Sequence, residues 1–231
     1  MAEPISLYRF LGSDAALKTL VAGKFRVGLV SEFNDPFEWK LGLKGVTTPE
    51  EQRFAIEFSP GHIRWLESWM GILCFSDSVS DPVLWSLYAD KHRGVVFEVK
   101  YPWKDDDIQE MTYSNERPVL DFDQLRELRD AKEREQYLKS LLRCLMNQKS
   151  PGFSFEREYR LSIDLNNRNR CQFSDGRHDW QLPDNSLKRV ILGFRCPLEE
   201  AAVRKLLDMN GFVDTKIARA AMCSETYAII T

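Results

Sequence analysis

The sequence predicts a single α+β domain, residues 1–231, with a mixed or antiparallel sheet as its core and flanking helices. Three short apolar runs are typical of buried strands and are expected at the centre of the sheet, at residues 71–76, 95–101 and 158–163. Strands and helices do not alternate regularly, which favours α+β over a repeating βαβ arrangement. No internal repeat and no clear linker is present, so one domain is expected.

The first half of the chain contains strand patterns and two capped helices. Alternating or short apolar segments lie at residues 5–10, 25–28, 71–76 and 95–101. Ser13 is expected to cap a helix that ends at Gly23. Asp81, followed by Pro82 at the first helical position, begins a second helix that ends at residues 92–94.

A turn is predicted at Asn34-Asp35-Pro36, with Phe33 and Phe37 on either side pointing inward. Phe37 and Trp85 are both expected to be largely buried, because each lies among turn or capping residues that would direct it toward a core. The polar residues 44–60 give little information about their structure.

In the second half, residues 122–148 carry apolar side chains three or four apart and predict a helix, with Asp121 and Gln124 as its capping box. Its polar interval, residues 129–136, indicates an exposed stretch or a break. An acidic loop at residues 105–107 is expected to be solvated. The remaining strand patterns lie at residues 111–113, 155–163, 190–194, 216–220 and 227–230, and a helix is expected at residues 197–210.

Composition indicates a globular protein, since 43% of the residues are hydrophobic and 12% are aromatic. A formal charge of −3 gives no general argument for a nucleic-acid or membrane partner. No apolar run approaches the roughly 18 residues of a membrane-spanning helix. The N-terminal residues lack the features of a signal peptide, and the five cysteines include no C-x-x-C pair. We therefore expect reduced thiols, a cytoplasmic location and no membrane partner.

Common catalytic and metal-binding signatures are missing from the sequence, including dinucleotide, Walker, zinc-protease and nucleophile-elbow motifs. The three histidines, at positions 62, 92 and 178, are far apart, and the cysteines lack zinc spacing, so no metal is expected. Cys74 beside His92 is a poor thiol nucleophile, because an apolar strand raises the pKa of a cysteine.

Polar side chains on or beside apolar strands remain as candidates for a site: Tyr8, Arg9, Ser76, Ser86, Tyr88 and His92. Strand alternation over residues 155–163 places Glu156, Glu158 and Arg160 on one face. Two interpretations of these glutamates are open. Either one forms a structural ion pair with Arg160 or Arg9, or a strand-borne carboxylate at a pocket mouth stabilises positive charge developing on a sugar ring.

Several segments, taken together and in this order, resemble the bacterial domain-of-unknown-function family numbered 2971. They are Tyr8-Arg9-Phe10, Phe33-Asn34-Asp35-Pro36-Phe37-Glu38, Cys74-Phe75-Ser76, Leu84-Trp85-Ser86-Leu87-Tyr88-Ala89-Asp90, His92-Arg93-Gly94 and Phe155-Glu156-Arg157-Glu158-Tyr159-Arg160. The resemblance covers roughly residues 5–195. Where that family tends to carry Trp and Tyr before the paired glutamates, this chain has Phe153 and Phe155.

The layout of that family is similar to ADP-ribosyltransferase-like domains, which implies NAD as a substrate and an acceptor that is a protein or a nucleic acid. The resemblance implies that Arg9 holds the NAD pyrophosphate, that Ser76 orients the ribose and that Tyr88 or Trp85 stacks on nicotinamide. It implies that Glu158 stabilises the oxocarbenium-like transition state and that Glu156 activates the acceptor. The implied NAD-binding set is Tyr8, Arg9, Ser76, Trp85, Tyr88 and His92.

Two further functions remain open from the sequence. A non-catalytic module would recognise a small-molecule nucleotide in the same pocket without chemistry. A nucleic-acid-binding module would use Arg168, Arg170 and Arg177 for phosphates, with Trp180 as a stacking platform. The first predicts ligand binding that survives the loss of Glu158, and the second predicts binding that weakens steeply with salt.

Overall fold

The computed structural model describes residues 5–101 and 108–231, so the acidic segment 105–107 lies outside the described residues. The strands are β1 Ile5–Leu11, β2 Lys24–Arg26, β3 Gly42–Lys44, β4 Met70–Ser76, β5 Val95–Tyr101, β6 Ile108–Glu110, β7 Thr112–Tyr113, β8 Val119–Asp121, β9 Gln148–Lys149, β10 Glu158–Asp164, β11 Cys171–Ser174, β12 Arg177–Gln181, β13 Leu187–Leu192, β14 Lys216–Arg219, β15 Ala221–Met222 and β16 Ile229–Ile230. The helices are α1 Ser13–Ala22, α2 Pro49–Glu67, α3 Pro82–Tyr88, α4 Phe122–Glu127, α5 Ala131–Asn147 and α6 Glu200–Met209, and two 3₁₀ segments span Val30–Glu32 and Pro151–Glu156.

A seven-stranded mixed sheet forms the centre of the fold, in the order β14-β13-β5-β1-β4-β10-β6. All neighbours are antiparallel except β13 and β14, which are parallel. The three apolar runs that the sequence places at the centre are β4, β5 and β10, and all three lie in this sheet. The predicted α+β class is therefore confirmed.

The sheet is joined unevenly between β1 and β4. β1 pairs with β5 along its whole length and β4 does the same with β10, whereas β1 and β4 share the single pair Tyr8 with Ser76. Farther along β4, Gly28 takes the place of β1 and exchanges two backbone hydrogen bonds with Ile72, at 3.0 and 2.9 Å. From the pair Tyr8–Ser76 toward the start of β4 the two strands therefore diverge, and an opening forms between them.

Both faces of the sheet are covered by apolar side chains. On one face, residues of β1, β4, β5 and β10 contact α1, α6 and the small sheet β11-β12-β2, and Leu7, Phe25 and Phe97 are fully buried there. On the other face, α3 covers β5 and β13 through Trp85. β4 is covered by Trp39, which lies in the loop before β3, and by Leu66 at the end of α2. Apolar burial on both faces accounts for the nearly continuous apolar sequence of β4.

Two elements of the structure are not predicted by the sequence patterns. Residues 49–67 form α2, although Pro60 and Gly61 disfavour a helix interior. Its N-terminus carries the capping box of Thr48 and Glu51. The hairpin β11–β12 also lies in a region that gave no strand pattern, and its turn uses Asp175 and Gly176 at positive φ angles of 52° and 73°.

Boundaries around the predicted site also differ. The strand expected from residue 155 begins at Glu158, after a 3₁₀ segment and Arg157 at a φ of 45°. The helix that begins at Pro82 ends at Tyr88, and residues 90–92 follow it in the left-handed region. Ser13 does not cap α1; its hydroxyl donates to Asp90 at 2.8 Å.

The long helix predicted for residues 122–148 is broken at residues 128–130, at the start of the polar interval, and Asp130 caps the second part, α5. Asp121 caps α4 through the backbone N–H groups of residues 123 and 124. Among the residues described, no helix is long and apolar enough to cross a membrane.

Candidate functional site

A cavity of about 320 Å³ lies where β1 and β4 diverge. It is bounded by β1, β4 and β10, by α3, and by the loop that follows the 3₁₀ segment Val30–Glu32. Six of the sequence-predicted site residues line it: Tyr8, Arg9, Ser76, Tyr88, Glu156 and Glu158. The structure thus brings together residues that are far apart in the chain, such as Tyr8 and Glu158, which are 150 positions apart (158 − 8).

A row of three polar residues crosses adjacent strands beside this cavity. Tyr8 of β1 pairs with Ser76 of β4, and Ser76 pairs on its other side with Glu158 of β10. Directly opposed residues in antiparallel strands direct their side chains to the same face. The register of the sheet therefore fixes this row.

Five charged side chains form a buried cluster at one end of the cavity: Glu38, Lys149, Glu156, Glu158 and Arg160. Each is less than a tenth exposed. Lys149 Nζ lies 3.1 Å from Glu38 Oε1, 2.6 Å from Glu156 Oε2 and 3.3 Å from Glu158 Oε2. Three carboxyl groups face two cations, so the cluster holds one more acidic group than basic groups.

Glu158 is held on both oxygens by cations. Arg160 donates from Nε to Oε1 at 2.8 Å and from its terminal nitrogen to Oε2 at 3.0 Å, and Lys149 also donates to Oε2. Burial by itself would raise the pKa of Glu158, but the charges of Arg160 and Lys149 outweigh it and lower the pKa to about 2. Glu158 therefore stays ionised at neutral pH. Its ion pair with Arg160 is one of the two alternatives that the sequence left open.

Glu156 has a different environment. Its Oε1 accepts a short hydrogen bond from the Tyr88 hydroxyl and its Oε2 accepts from Lys149. Burial raises its pKa, and Lys149 and Tyr88 offset only part of that effect. Asn34 donates to the Tyr88 oxygen at 3.1 Å, which fixes the phenol in place. The two glutamates therefore differ in the direction in which their pKa values move, as expected for an acid–base pair.

Arg9 lies in the opening between the two diverging strands. Its guanidinium donates to the carbonyl oxygens of Cys74 and Arg26, at 3.0 and 3.1 Å, and lies over the ring of Phe25 at 5.5 Å. Within the described ranges Arg9 has no carboxylate partner, and its Nε has no hydrogen-bond partner. Burial lowers the pKa of this group. Arg9 is thus an uncompensated cation at the cavity wall.

Trp85 and His92, both expected in the nucleotide site, lie elsewhere. Trp85 is fully buried behind the sheet, and its indole N–H donates to the Val79 carbonyl at 2.7 Å, so it cannot stack on a ligand. His92 is stacked between Trp85 and Phe194 and lines a separate cavity near the C-terminal strands. Both assignments are corrected: helical spacing turns Trp85 toward the core and Tyr88 toward the cavity.

The predicted inward position of Phe37 is also wrong. Its side chain is 56% exposed and carries the guanidinium of Arg117 over its ring, at 4.9 Å. Trp39, two residues later, is the buried aromatic of this loop. Trp180, proposed as a nucleic-acid stacking platform, is 6% exposed and packs in the core, and Arg177 pairs with Asp179 at 3.1 Å. Trp180 therefore offers no ring face on which a base could stack.

Sequence reasoning missed two members of the charge cluster, Glu38 and Lys149. Glu38 ends the Phe-Asn-Asp-Pro-Phe-Glu segment, and Lys149 follows the last residue of α5 by two positions, so neither belongs to a periodic pattern. Cys74 also lines the cavity, and burial raises the pKa of its thiol, which agrees with its rejection as a nucleophile. The described part of the chain contains no His, Cys, Asp and Glu group arranged to hold a metal ion.

Comparison of the chain with protein-family models, with curated proteins and with solved structures gave no match.

Proposed function

We propose that this protein is an ADP-ribosyltransferase-like enzyme that binds NAD in the cavity between β1 and β4 and transfers its ADP-ribose group to an acceptor. The observation that carries the proposal is the row of Tyr8, Ser76 and Glu158 across three strands, with Arg9 and Glu156 beside it. The row supplies hydroxyl groups suited to a ribose and a permanent anion, and Arg9 adds a cation suited to phosphate on the wall of the same cavity.

In the proposed reaction the bond between ribose C1′ and the nicotinamide nitrogen breaks, and its electron pair leaves with nicotinamide. A nucleophilic atom of the acceptor forms the new bond to C1′ and releases its proton. Positive charge on the ribose is largest in the transition state, so a fixed anion nearby lowers the barrier. Glu158 supplies that anion, since its pKa of about 2 keeps it ionised throughout the physiological range.

Glu156 is the group that accepts the acceptor's proton. A general base needs a pKa closer to the working pH than that of an ordinary carboxylate. Burial raises the pKa of Glu156, whereas the cations around Glu158 make the latter a very weak base. The hydrogen bonds from Tyr88 and Lys149 fix the orientation of the Glu156 carboxylate.

Arg9 is suited to the diphosphate of NAD. It lines the main cavity and also an adjoining cavity of about 700 Å³, which shares Gly28 and Phe33 with the first. Small-molecule sites measure about 300–1,000 Å³, so the two cavities together offer room for a dinucleotide. A half-buried cation that lacks a carboxylate partner among the described residues favours an anionic ligand.

The test is release of nicotinamide from NAD by the purified protein, with and without cell lysate as the source of acceptor, together with calorimetric titration of NAD. Release that requires the protein, with saturable NAD binding, is the expected result. Neither release nor binding at about 1 mM NAD, the upper end of common Michaelis constants, would refute the proposal.

A second candidate is a nucleotide-binding module without catalysis. One observation favours it: both oxygens of Glu158 are held by Arg160 and Lys149, so much of its negative charge is compensated before any ligand arrives. This candidate predicts that NAD binds, that no nicotinamide is released and that binding persists in Glu158→Gln.

A further inference from the structure

A second, smaller cavity of about 200 Å³ lies on the other side of the charge cluster. Glu38 and Lys149 line both cavities and form the wall between them. The remaining polar lining of the small cavity comes from the Asn-Asp-Pro turn, from the loop after β7 and from β9, and includes Asp35, Ser114, Asn115 and Gln148.

Asp35 lines this cavity and has a buried carboxylate oxygen without a hydrogen-bond donor among the described residues. It is only 4% exposed, and its Oδ1 accepts a hydrogen bond from the Phe37 backbone N–H at 2.8 Å. Its Oδ2 is buried and has no hydrogen-bond partner within residues 5–101 and 108–231, nor does Asp35 form a salt bridge there. A buried carboxylate oxygen without a donor is costly, so the site calls for a donor that the described chain does not supply.

The two cations at this cavity are engaged by other groups. Lys149 contacts the three glutamates of the charge cluster, and its ammonium group also lies 4.6 Å from the ring centre of Phe153. Arg117 lies over Phe37 and donates to the Lys40 carbonyl at 3.2 Å. Neither is within salt-bridge distance of Asp35.

We propose that the small cavity binds an alkylguanidinium or alkylammonium group, with Asp35 as its counterion. Charged donors make the strongest hydrogen bonds to carboxylates, and a planar guanidinium also has N–H groups left over for further acceptors. Asn115 and Gln148 line the same cavity and carry amide oxygens that can act as such acceptors. Glu38 adds a second carboxylate whose Oε1 lacks a hydrogen bond of good geometry.

A cationic side chain that enters the small cavity lies against the wall of Glu38 and Lys149, which separates it from Glu156 and Glu158 in the main cavity. Cation binding at Asp35 is therefore independent of the proposed transfer reaction.

The experiment is calorimetric titration of the full chain, without NAD, using butylguanidinium and its neutral analogue butylurea. Asp35→Asn keeps the size of the side chain and an acceptor for the Phe37 N–H but removes the charge. Asp184→Asn, at an exposed acidic position, is the matched control. We expect butylguanidinium to bind the wild type and the control, and to bind Asp35→Asn about tenfold or more weakly, as for the loss of one charged hydrogen bond.

Absence of binding to the wild type, equal binding of butylurea, or undiminished binding by folded Asp35→Asn would each overturn the proposal. A second measurement on the wild type does not depend on the variant folding. Amide chemical shifts should change most at residues 114–117 and 148–150, and changes confined to the main cavity would also overturn it. If butylguanidinium binds but no nicotinamide is released from NAD, the transferase proposal is refuted and the cation site at Asp35 is retained.

Discussion

Glu156 and Glu158 share the ammonium group of Lys149, which lies 2.6 Å from Oε2 of the first and 3.3 Å from Oε2 of the second. Their other partners differ, since Glu158 also receives two hydrogen bonds from Arg160 and Glu156 receives one from the neutral Tyr88. A cation stabilises a carboxylate more than a phenol does. One residue pair, two positions apart, therefore contains an acid that stays ionised and one that takes up a proton more readily.

This difference predicts opposite effects of the two glutamates on stability as pH changes. The pKa of Glu158 is about 2 in the fold against 4.5 ordinarily, so its contribution is present above pH 4.5 and is lost as pH falls toward 2. Glu158→Gln should therefore cost about 3–5 kcal/mol at neutral pH, as for one broken buried ion pair, and progressively less in acid. Urea unfolding across pH measures this.

Glu156→Gln should show the reverse trend, because the pKa of Glu156 is raised in the fold. The stability linked to its protonated form is complete below its unfolded pKa and is lost as pH rises through its folded pKa. Glutamine mimics the protonated form, so this variant should gain stability relative to the wild type as pH rises. Glu57→Gln, at an exposed position on α2, serves as the control. Parallel curves for the two cavity variants would contradict the assignment.

In the proposed reaction Glu158→Gln should lower the rate of nicotinamide release by roughly 10²–10³-fold, the usual effect of removing one strong electrostatic stabiliser. NAD affinity should change less than the rate, since the ribose charge exists mainly in the transition state. Steady-state kinetics and calorimetry on the same preparation separate the two quantities. Undiminished turnover with intact binding would assign the chemistry to Glu156 or to another group.

Arg9→Ala should weaken NAD binding about tenfold or more, because a contact to the diphosphate is present before and during the reaction. The substitution also removes the donors to the Cys74 and Arg26 carbonyls, so binding must be measured below the melting temperature of the variant. Arg53→Ala, an exposed arginine of α2, is the matched control. An unchanged dissociation constant in folded Arg9→Ala would exclude a diphosphate contact.

Tyr88→Phe removes a hydrogen bond to the ionised form of Glu156, and that bond lowers the pKa of this group. The pKa of Glu156 should therefore rise further in the variant. Carboxyl carbon resonances, titrated by NMR in labelled protein and assigned with Glu156→Gln, measure the shift without any enzyme assay. A titration identical to that of the wild type would show that the phenol does not act on Glu156 in solution.

Trp85→Ala should destabilise the protein by about 3–5 kcal/mol, since it removes a fully buried indole from the core and leaves a cavity. Phe37→Ala should cost less than about 1 kcal/mol, because the ring is 56% exposed and contributes mainly its contact with Arg117. Chemical denaturation of both variants tests the pair. Equal losses would contradict the placement of Phe37 at the surface.

Local patterns in the sequence were sufficient for the central strands β4, β5 and β10 and for the caps of α3 and α4. The apolar runs of β4 and β5 are bounded by breakers, and the cap of α3 is formed by Asp81, which accepts from the Val83 N–H at 2.8 Å. Local patterns failed where they conflicted. In α2, the capping box of Thr48 and Glu51 competes with a proline and a glycine in the helix interior, and only tertiary contacts decide between them.

The site was predictable only in part for a related reason. Arg160 and Glu158 lie on the same face of one strand, so their contact follows from alternation. Glu38 and Lys149 reach the cluster from a loop and a two-residue strand, and their separation of 111 positions (149 − 38) leaves no periodic signal. Long-range contacts of this kind are set by the packing of the whole chain.

The single backbone pair between β1 and β4 divides the central sheet into two halves, β14-β13-β5-β1 and β4-β10-β6. Arg9 belongs to the first half and Glu158 to the second, so a molecule that touches both spans the division and supplies links that the backbone lacks. Ligand binding is then coupled to local opening of the sheet, because separation of the two halves also separates Arg9 from Glu158. Ligand affinity at the cavity and resistance of the sheet to opening then both depend on how firmly β1 and β4 are held together.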